Sequence, residues 1–292
     1  MTVFGMNNNM PVIVQGMTGH QGRIHGRLMT EFGTNVVAGV VPGKGGSKVD
    51  GWDIFENVDE AVNEFNAEAS VIFVPASSCL AATMDAIGSG LKIIVIVTEH
   101  LPVKDALLIR NAADHKGVTV IGPNSPGVGM PGIVKLGIMP NQIFLPGDVG
   151  VISRSGTLTY ELVQELTDNR VGQRCCIGVG GDPIVGKSMT EVAREYCNDD
   201  DIRSVLLVGE IGGRVEIEAA RVLADRFDGP VFSFLAGRSA PPGKRMGHAG
   251  AIMSKGMPGI GEKIDELLSL NVIVCRSMAE VGTMIKMATP VH

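Results

Sequence analysis

One histidine stands among residues too small to shield it: His248, within Gly243-Lys-Arg-Met-Gly-His-Ala-Gly-Ala-Ile252. A neutral imidazole with one ring nitrogen free can attack an electrophile when an acceptor holds its other nitrogen, and a carboxylate is the usual holder. Glu210 is the candidate. It ends the apolar run Ser204-Val-Leu-Leu-Val-Gly-Glu210, and a second apolar run, Val231-Phe-Ser-Phe-Leu-Ala-Gly237, precedes the histidine loop. Both runs read as buried strands, so each candidate lies beyond a strand's carboxyl end, the edge at which open α/β sheets bind ligands. Neighbouring strands would put Glu210 and His248 in one crevice. Taken alone, the pair also fits a solvated loop histidine and a glutamate near a helix start.

Two glycine-containing turns could receive phosphate. In Gln15-Gly-Met-Thr-Gly-His-Gln-Gly22 the glycines fall at 16, 19 and 22, between an apolar run and a helical pattern. Unobstructed backbone N–H groups at a helix N-terminus attract anions such as pyrophosphate. The spacing is GxxGxxG, whereas the dinucleotide fingerprint is GxGxxG followed about 20 residues later by an acid for the ribose hydroxyls. Here the second strand runs out as Val40-Val-Pro-Gly-Lys-Gly-Gly-Ser47, placing the cation Lys44 where that acid would stand. The reading is a nucleotide with an extra ribose phosphate, either coenzyme A or NADP, with a purely structural turn as the alternative. The loops Val74 to Ser78 and Val97 to Glu99 leave the same sheet edge and could line such a ligand. The second turn, Ser153-Arg-Ser-Gly-Thr157, opens an amphipathic helix; the N–H groups of Gly156 and Thr157 could bind phosphate, or a hydroxyl could simply cap the helix. No P-loop is assigned to this chain, so any nucleoside triphosphate is expected to be bound elsewhere.

The elements that must position these groups alternate along the whole length. Strands are expected at Val12 to Gln15, Asn35 to Val40, Ser70 to Val74, Ile93 to Val97 and Val118 to Ile121. After a stretch interrupted by Pro and Gly they resume at Val149 to Ser153, Arg174 to Val179, Val205 to Gly209, Val231 to Leu235 and Val272 to Cys275. Helical patterns lie between most of them, which predicts an α/β fold of two doubly wound domains, divided at about residues 1–125 and 126–292. The 292 residues suffice for two cores, and 39 glycines, nearly double the usual share of about 7%, suit many tight βα turns. A net charge of −6 argues against a general nucleic-acid binder. Five cysteines without a CxxC pair read as reduced thiols, and no apolar run reaches the length of a membrane span. The expected setting is cytoplasmic, or the mitochondrial matrix for a mature eukaryotic chain.

Taken in order, these motifs closely resemble the α subunits of succinyl-CoA synthetase (succinate–CoA ligase, NDP-forming). The resemblance runs from Gln15-Gly-Met-Thr-Gly through Pro42-Gly-Lys-Gly-Gly, Ile121-Gly-Pro-Asn, Ser153-Arg-Ser-Gly-Thr-Leu-Thr-Tyr-Glu and Gly180-Gly-Asp-Pro to Gly209-Glu-Ile-Gly-Gly and Arg245-Met-Gly-His-Ala-Gly-Ala-Ile. It implies an N-terminal Rossmann-like CoA-binding domain, a C-terminal flavodoxin-like ligase domain and a relay through phosphorylated His248. ATP or GTP with Mg2+ would be bound mainly by an ATP-grasp β subunit, in an αβ or α2β2 assembly, and the acid would be succinate. Position by position, Thr18, Gly19, His20, Gln21, Lys44, Val97, Thr98 and Glu99 fall on the CoA contacts. Glu210 falls on the carboxylate that orients the histidine, and Ser153, Ser155, Gly156 and Thr157 on the phosphate-receiving helix N-terminus. Tyr160 falls on the carboxylic acid site, and no metal ligands are assigned to this chain.

The chain departs from the family pattern at Ser125, where a cysteine is common, at His20, at Lys48-Val-Asp50 and at Lys255-Gly-Met-Pro-Gly259. Malate–CoA ligases share most of the motifs. An NADP-dependent oxidoreductase and a non-catalytic CoA-binding regulator are the rival classes.

Overall fold

The computed structural model describes residues 2–237 and 259–288. His248 and the segment Lys255-Gly-Met-Pro258 lie outside the described residues. The chain forms two compact units: Phe4–Asn141 with Ile184–Gly186, and Gln142–Pro183 with the chain from Lys187 onward.

The first unit contains β1 (Val12–Gln15), α1 (His20–Phe32), β2 (Val36–Val40), β3 (Lys48–Val49), β4 (Trp52–Phe55), α2 (Val58–Phe65), β5 (Ala69–Ile72), α3 (Ala76–Gly88), β6 (Ile93–Ile96), α4 (Val103–Lys116), β7 (Thr119–Ile121), β8 (Gly127–Met130) and β9 (Val134–Gly137). Its sheet has seven strands in the order β3-β4-β2-β1-β5-β6-β7. All of its pairings are parallel except β3 with β4. Without the short β3, this is the dinucleotide-fold order, in which the chain reverses direction across the sheet beside β1. Every residue of β1, β5 and β6 is buried, as expected of parallel strands covered on both faces.

The second unit contains β10 (Pro146–Ser153), α5 (Gly156–Asp168), β11 (Gln173–Gly178), α6 (Met189–Tyr196), β12 (Ser204–Glu210), α7 (Val215–Arg226), β13 (Val231–Ala236), α8 (Ile260–Ser269), β14 (Ile273–Cys275) and α9 (Met278–Ala288). Its parallel strands stand in the order β14-β13-β12-β10-β11, the flavodoxin order, with the switch point between β10 and β12. Helix α5 forms because Ser155 caps it and because Leu162, Val163 and Leu166 bury one stripe of it.

The ten strands expected from the alternation are all present, most of them within a residue or two of the expected ends. Two hairpins were not expected. In the first, β3 and the turn before β4 contain the divergent Lys48-Val-Asp50, and Asp50 accepts a two-pronged bond from Arg23 of α1, at 2.7 and 3.0 Å. In the second, β8 and β9 fall in the Pro/Gly-interrupted stretch, and Ser125 just before it accepts the N–H of Gly127 at 2.8 Å. That hairpin belongs with the first unit: the Thr34 hydroxyl donates to the Lys135 carbonyl and accepts the Lys135 N–H, at 2.8 and 2.9 Å. The compact units divide at Asn141, where the sequence reading sets residue 125. Residues Ile184–Gly186 also join the first unit, with Gly186 donating to the Gly122 carbonyl and Arg110 donating to the carbonyls of Val185 and Gly186.

Candidate active site

In the first unit, parallel registry brings the strand ends to one edge. Gln15 pairs with Val40 on one side and Ile72 on the other, and Ile72 pairs with Ile96. The loops after β1, β2, β5 and β6 therefore leave the sheet together. After β1 the chain turns at Gly16 (φ 83°), whose carbonyl accepts the Gly19 N–H at 3.0 Å. Gly19 caps α1 without a side-chain bond, leaving backbone donors of the first helical turn for a ligand. Thr18 and Lys44 meet: the ammonium donates to the Thr18 hydroxyl at 3.1 Å. The Lys44 loop is held by Glu56, whose carboxylate accepts the N–H groups of Gly43 at 2.7 Å and Gly45 at 3.2 Å. Glu56 was not singled out from the sequence. A lone acid just after a short strand gives no signal of that task.

Thr98 and Glu99 divide in role. The Thr98 hydroxyl donates to the Val74 carbonyl at 2.7 Å, tying the loop after β6 to the loop after β5, while Glu99 is exposed beside His100. His20 and Gln21 are exposed at the start of α1. His25, further along α1, stacks on Phe73, and burial pushes its pKa down to about 4, with Lys135 adding to the effect.

In the second unit, Ser153 pairs with Val208, so the ends of β10 and β12 lie side by side at the switch point. The Ser153 hydroxyl donates to the Ser155 carbonyl at 3.0 Å and accepts the Ser155 N–H at 3.1 Å. Ser155 caps α5 by accepting the Leu158 N–H at 3.4 Å. These bonds occupy both hydroxyls and leave the N–H groups of Gly156 and Thr157 as the donors without a helical acceptor. Tyr160 lies one turn in, and burial lifts its pKa to about 12, so its phenol stays a neutral donor. Glu210, only 7% exposed, ends β12 across from this turn, with its carboxylate 3.7 Å from the Arg154 guanidinium. The motif Ser153-Arg-Ser-Gly-Thr157 carries Arg154 without assigning it a role. Its signal was its place between two candidate phosphate ligands.

The expectation of no P-loop needs correcting at the level of sequence. Gly181-Asp-Pro-Ile-Val-Gly-Lys-Ser188 has the GxxxxGKS spacing and runs between β11 and α6. Its bonding is not that of a phosphate cradle. The Gly186 N–H donates to the Gly122 carbonyl at 2.8 Å, and Lys187 pairs with Glu191 at 3.4 Å. The Ser188 hydroxyl donates to Glu191 at 2.7 Å and accepts its N–H at 3.2 Å as the cap of α6. In a P-loop these same groups face the phosphates and Mg2+. Among the described residues, no cluster of His, Cys, Asp and Glu could hold a metal ion, and no helix is long and apolar enough to cross a membrane.

Comparison with known proteins gives this geometry a family. Residues 7–100 match the model of a CoA binding domain and residues 152–271 that of a CoA-ligase, which defines the class as a CoA-binding ligase chain. Over 274 residues the chain is 47% identical to succinate–CoA ligase [ADP-forming] subunit alpha 2 of Archaeoglobus fulgidus, covering 94% of this chain and 95% of that one. It is 43% identical to the alpha subunit of the same ADP-forming ligase from Aquifex aeolicus, over 95% of this chain and 92% of that one. The chain belongs to the succinate–CoA ligase alpha-subunit family. Among solved structures it resembles an ATP citrate lyase of Methanosaeta concilii in complex with (3S)-citryl-CoA, with a TM-score of 0.86 at 22% identity. That match covers 99% of this chain and 52% of the lyase chain. A dinucleotide-forming acetyl-coenzyme A synthetase of Ca. Korarchaeum cryptofilum gives a TM-score of 0.71 at 17% identity, covering 93% of this chain and 59% of that one. These two likenesses speak to the fold alone.

Proposed function

We propose that the chain works as the alpha subunit of an ADP-forming succinate–CoA ligase, through a phosphohistidine at His248. The observation that carries the reading is the meeting, at one switch point, of a buried carboxylate, Glu210, with the helix N-terminus at Gly156 and Thr157. One can orient an imidazole and the other can stabilise a phosphoryl group beside it. A free ring nitrogen of His248 attacks the terminal phosphorus of ATP, forming an N–P bond as the bond to ADP breaks. A succinate oxygen then takes the phosphoryl group, restoring the imidazole and giving an acyl phosphate. Finally the CoA sulfur attacks the acyl carbon, phosphate leaves, and the thiol proton passes to solvent or phosphate. Glu210 holds the other imidazole nitrogen throughout, the neutral Tyr160 phenol offers a donor to the acid, and the edge bearing Thr18–Gln21, Lys44 and Val97–Glu99 holds CoA.

ATP with Mg2+ is assigned to a beta subunit of ATP-grasp type, in an αβ or α2β2 assembly. The support is that the one stretch with P-loop spacing has its lysine, serine and second glycine N–H occupied by the protein itself. A cytoplasmic setting is proposed on the cysteine usage, five cysteines with no CxxC pair. The reading is tested by assaying acid-dependent thioester synthesis with the purified chain alone and with its beta subunit. The chain alone is expected to be nearly inactive, and robust synthesis without the partner would overturn the assignment.

Lys44 gives a narrower test. An exposed ammonium paired with a phosphate is worth up to about 1 kcal/mol. Lys44→Ala should therefore raise the KM for CoA by roughly a few-fold to tenfold and leave phosphorylation of the protein near the wild-type rate. Lost phosphorylation with unchanged CoA binding would remove CoA from the first unit.

A further inference from the structure

Beneath Glu210 lies a buried ion pair that none of the steps above uses. Lys263, in the first turn of α8, is 1% exposed, and Glu216, in the first turn of α7, is 0% exposed; the two are paired directly. Each also grips the main chain of Glu210. The Lys263 ammonium donates to the Glu210 carbonyl at 2.9 Å and to the Gly212 carbonyl at 3.1 Å. The Glu216 carboxylate accepts the Glu210 N–H at 3.2 Å. Two of the three ammonium hydrogens go to these carbonyls, and the Glu216 carboxylate lies against the ammonium as its counter-charge. Gly209 makes the room, since a Cβ there would stand 2.3 Å from a Glu216 carboxylate oxygen.

Burying two charges in a sheet–helix interface is poor economy for stability alone, because an apolar pair of similar volume is often as stable or more so. What an apolar pair cannot do is hold both the N–H and the carbonyl of one residue. We infer that Lys263 and Glu216 are positioning residues for the proposed phosphorylation of His248, fixing the backbone from which the Glu210 carboxylate is aimed. The inference rests on the reading that Glu210 orients His248. Arg154 lies close to that carboxylate, while the Lys263–Glu216 pair fixes its root, so the side chain is held from both ends. Helix α8 is tied down independently, because Glu266 one turn further on pairs with Arg214 and Arg221 of the α7 region.

The test uses the complex with its beta subunit, radiolabelled ATP, and the double variant Lys263→Met with Glu216→Leu, which replaces the pair by apolar side chains. Each enzyme is made with Glu210 intact and with Glu210→Gln. Label on His248 of the wild type must be seen first; its absence would defeat the proposed function itself, separately from this inference. Given that label, the double variant, assayed well below its thermal midpoint, should keep its CoA affinity and label His248 on the order of 10²-fold more slowly. In the Glu210→Gln background the same change should slow labelling by no more than about twofold, since the two act through one group. Labelling at the wild-type rate, or equal slowing in both backgrounds, would overturn the inference. If the double variant does not fold, Lys263→Gln is read on the same two backgrounds. It keeps two donors for the carbonyls of Glu210 and Gly212, so it should label faster than Lys263→Met in the intact background and no differently in Glu210→Gln.

Discussion

His248→Asn is expected to carry no acid-labile, alkali-stable phosphate after incubation of the complex with radiolabelled ATP, and Glu210→Gln to carry it late and in reduced amount. The two variants differ because one removes the atom that forms the N–P bond and the other removes only what prepares it. Attack needs a neutral imidazole with its lone pair toward phosphorus, and positive charge grows on the ring as the bond forms. A carboxylate on the far nitrogen fixes the tautomer and stabilises that charge. A glutamine amide can still accept a hydrogen bond but brings no charge and can present its NH2 group instead. Loss of such a partner costs on the order of 10²-fold or more in rate.

The place of Glu210 makes this outcome specific. It sits at the carboxyl end of β12, buried, with Arg154 near its carboxylate. The edge proposed to hold CoA belongs to the other unit, so CoA affinity should be unchanged in Glu210→Gln. A time course of label transfer with peptide mapping decides the matter. Label at His20, His25, His100, His115 or His292, or label at the wild-type rate in Glu210→Gln, would overturn the relay. His25 is a poor rival on physical grounds, since it is stacked on Phe73 and partly buried.

Much of this arrangement was legible because parallel strands are covered on both faces and read as unbroken apolar runs, such as Ile93-Ile-Val-Ile96. Strand ends then located the loops, and the loops located Glu210, Lys44 and the Ser153–Thr157 turn. Where apolar runs failed, so did the reading. Lys48–Val49 is too short and polar to register, and Gly127–Met130 is half glycine. Charged core residues were missed because charge on a helix reads as solvent-facing. Yet Glu216 falls in helical phase with buried Ala219, Ala220 and Leu223, and Lys263 with buried Leu267. A charge in phase with an apolar stripe is the signal that could have found both. The P-loop spacing shows the converse, a pattern present in the sequence whose groups are occupied by Gly122 and Glu191.

Gly22→Ala should disable CoA binding far more than Lys44→Ala, and the geometry of the turn says why. A Cβ at Gly22 would stand 2.4 Å from the Gly16 carbonyl oxygen and 2.9 Å from its carbon, closer than real side chains approach backbone. Gly16 cannot withdraw, because its N–H donates to the Val40 carbonyl at 3.0 Å and its φ of 83° suits glycine. The backbone of Phe73 lies 3.1 Å from a Cβ position on its other side. Either α1 moves off the sheet or the turn opens, and both displace the N–H groups proposed to meet the pyrophosphate. Overpacking of this kind costs about 1–3 kcal/mol, so the thermal midpoint should fall as well. Gly19→Ala, itself on the proposed CoA edge, is the matched control for stability alone. Its Cβ would meet only the Gly16 oxygen at 3.2 Å, at a φ of −76° that any residue adopts, so its effect on stability should be small. Calorimetric titration of CoA into the complex, with a melting curve for each variant, separates the two. CoA binding by Gly22→Ala as tight as by wild type would mean that this turn does not hold the nucleotide, while phosphorylation of His248 should persist in both variants because Glu210 and α5 belong to the other unit.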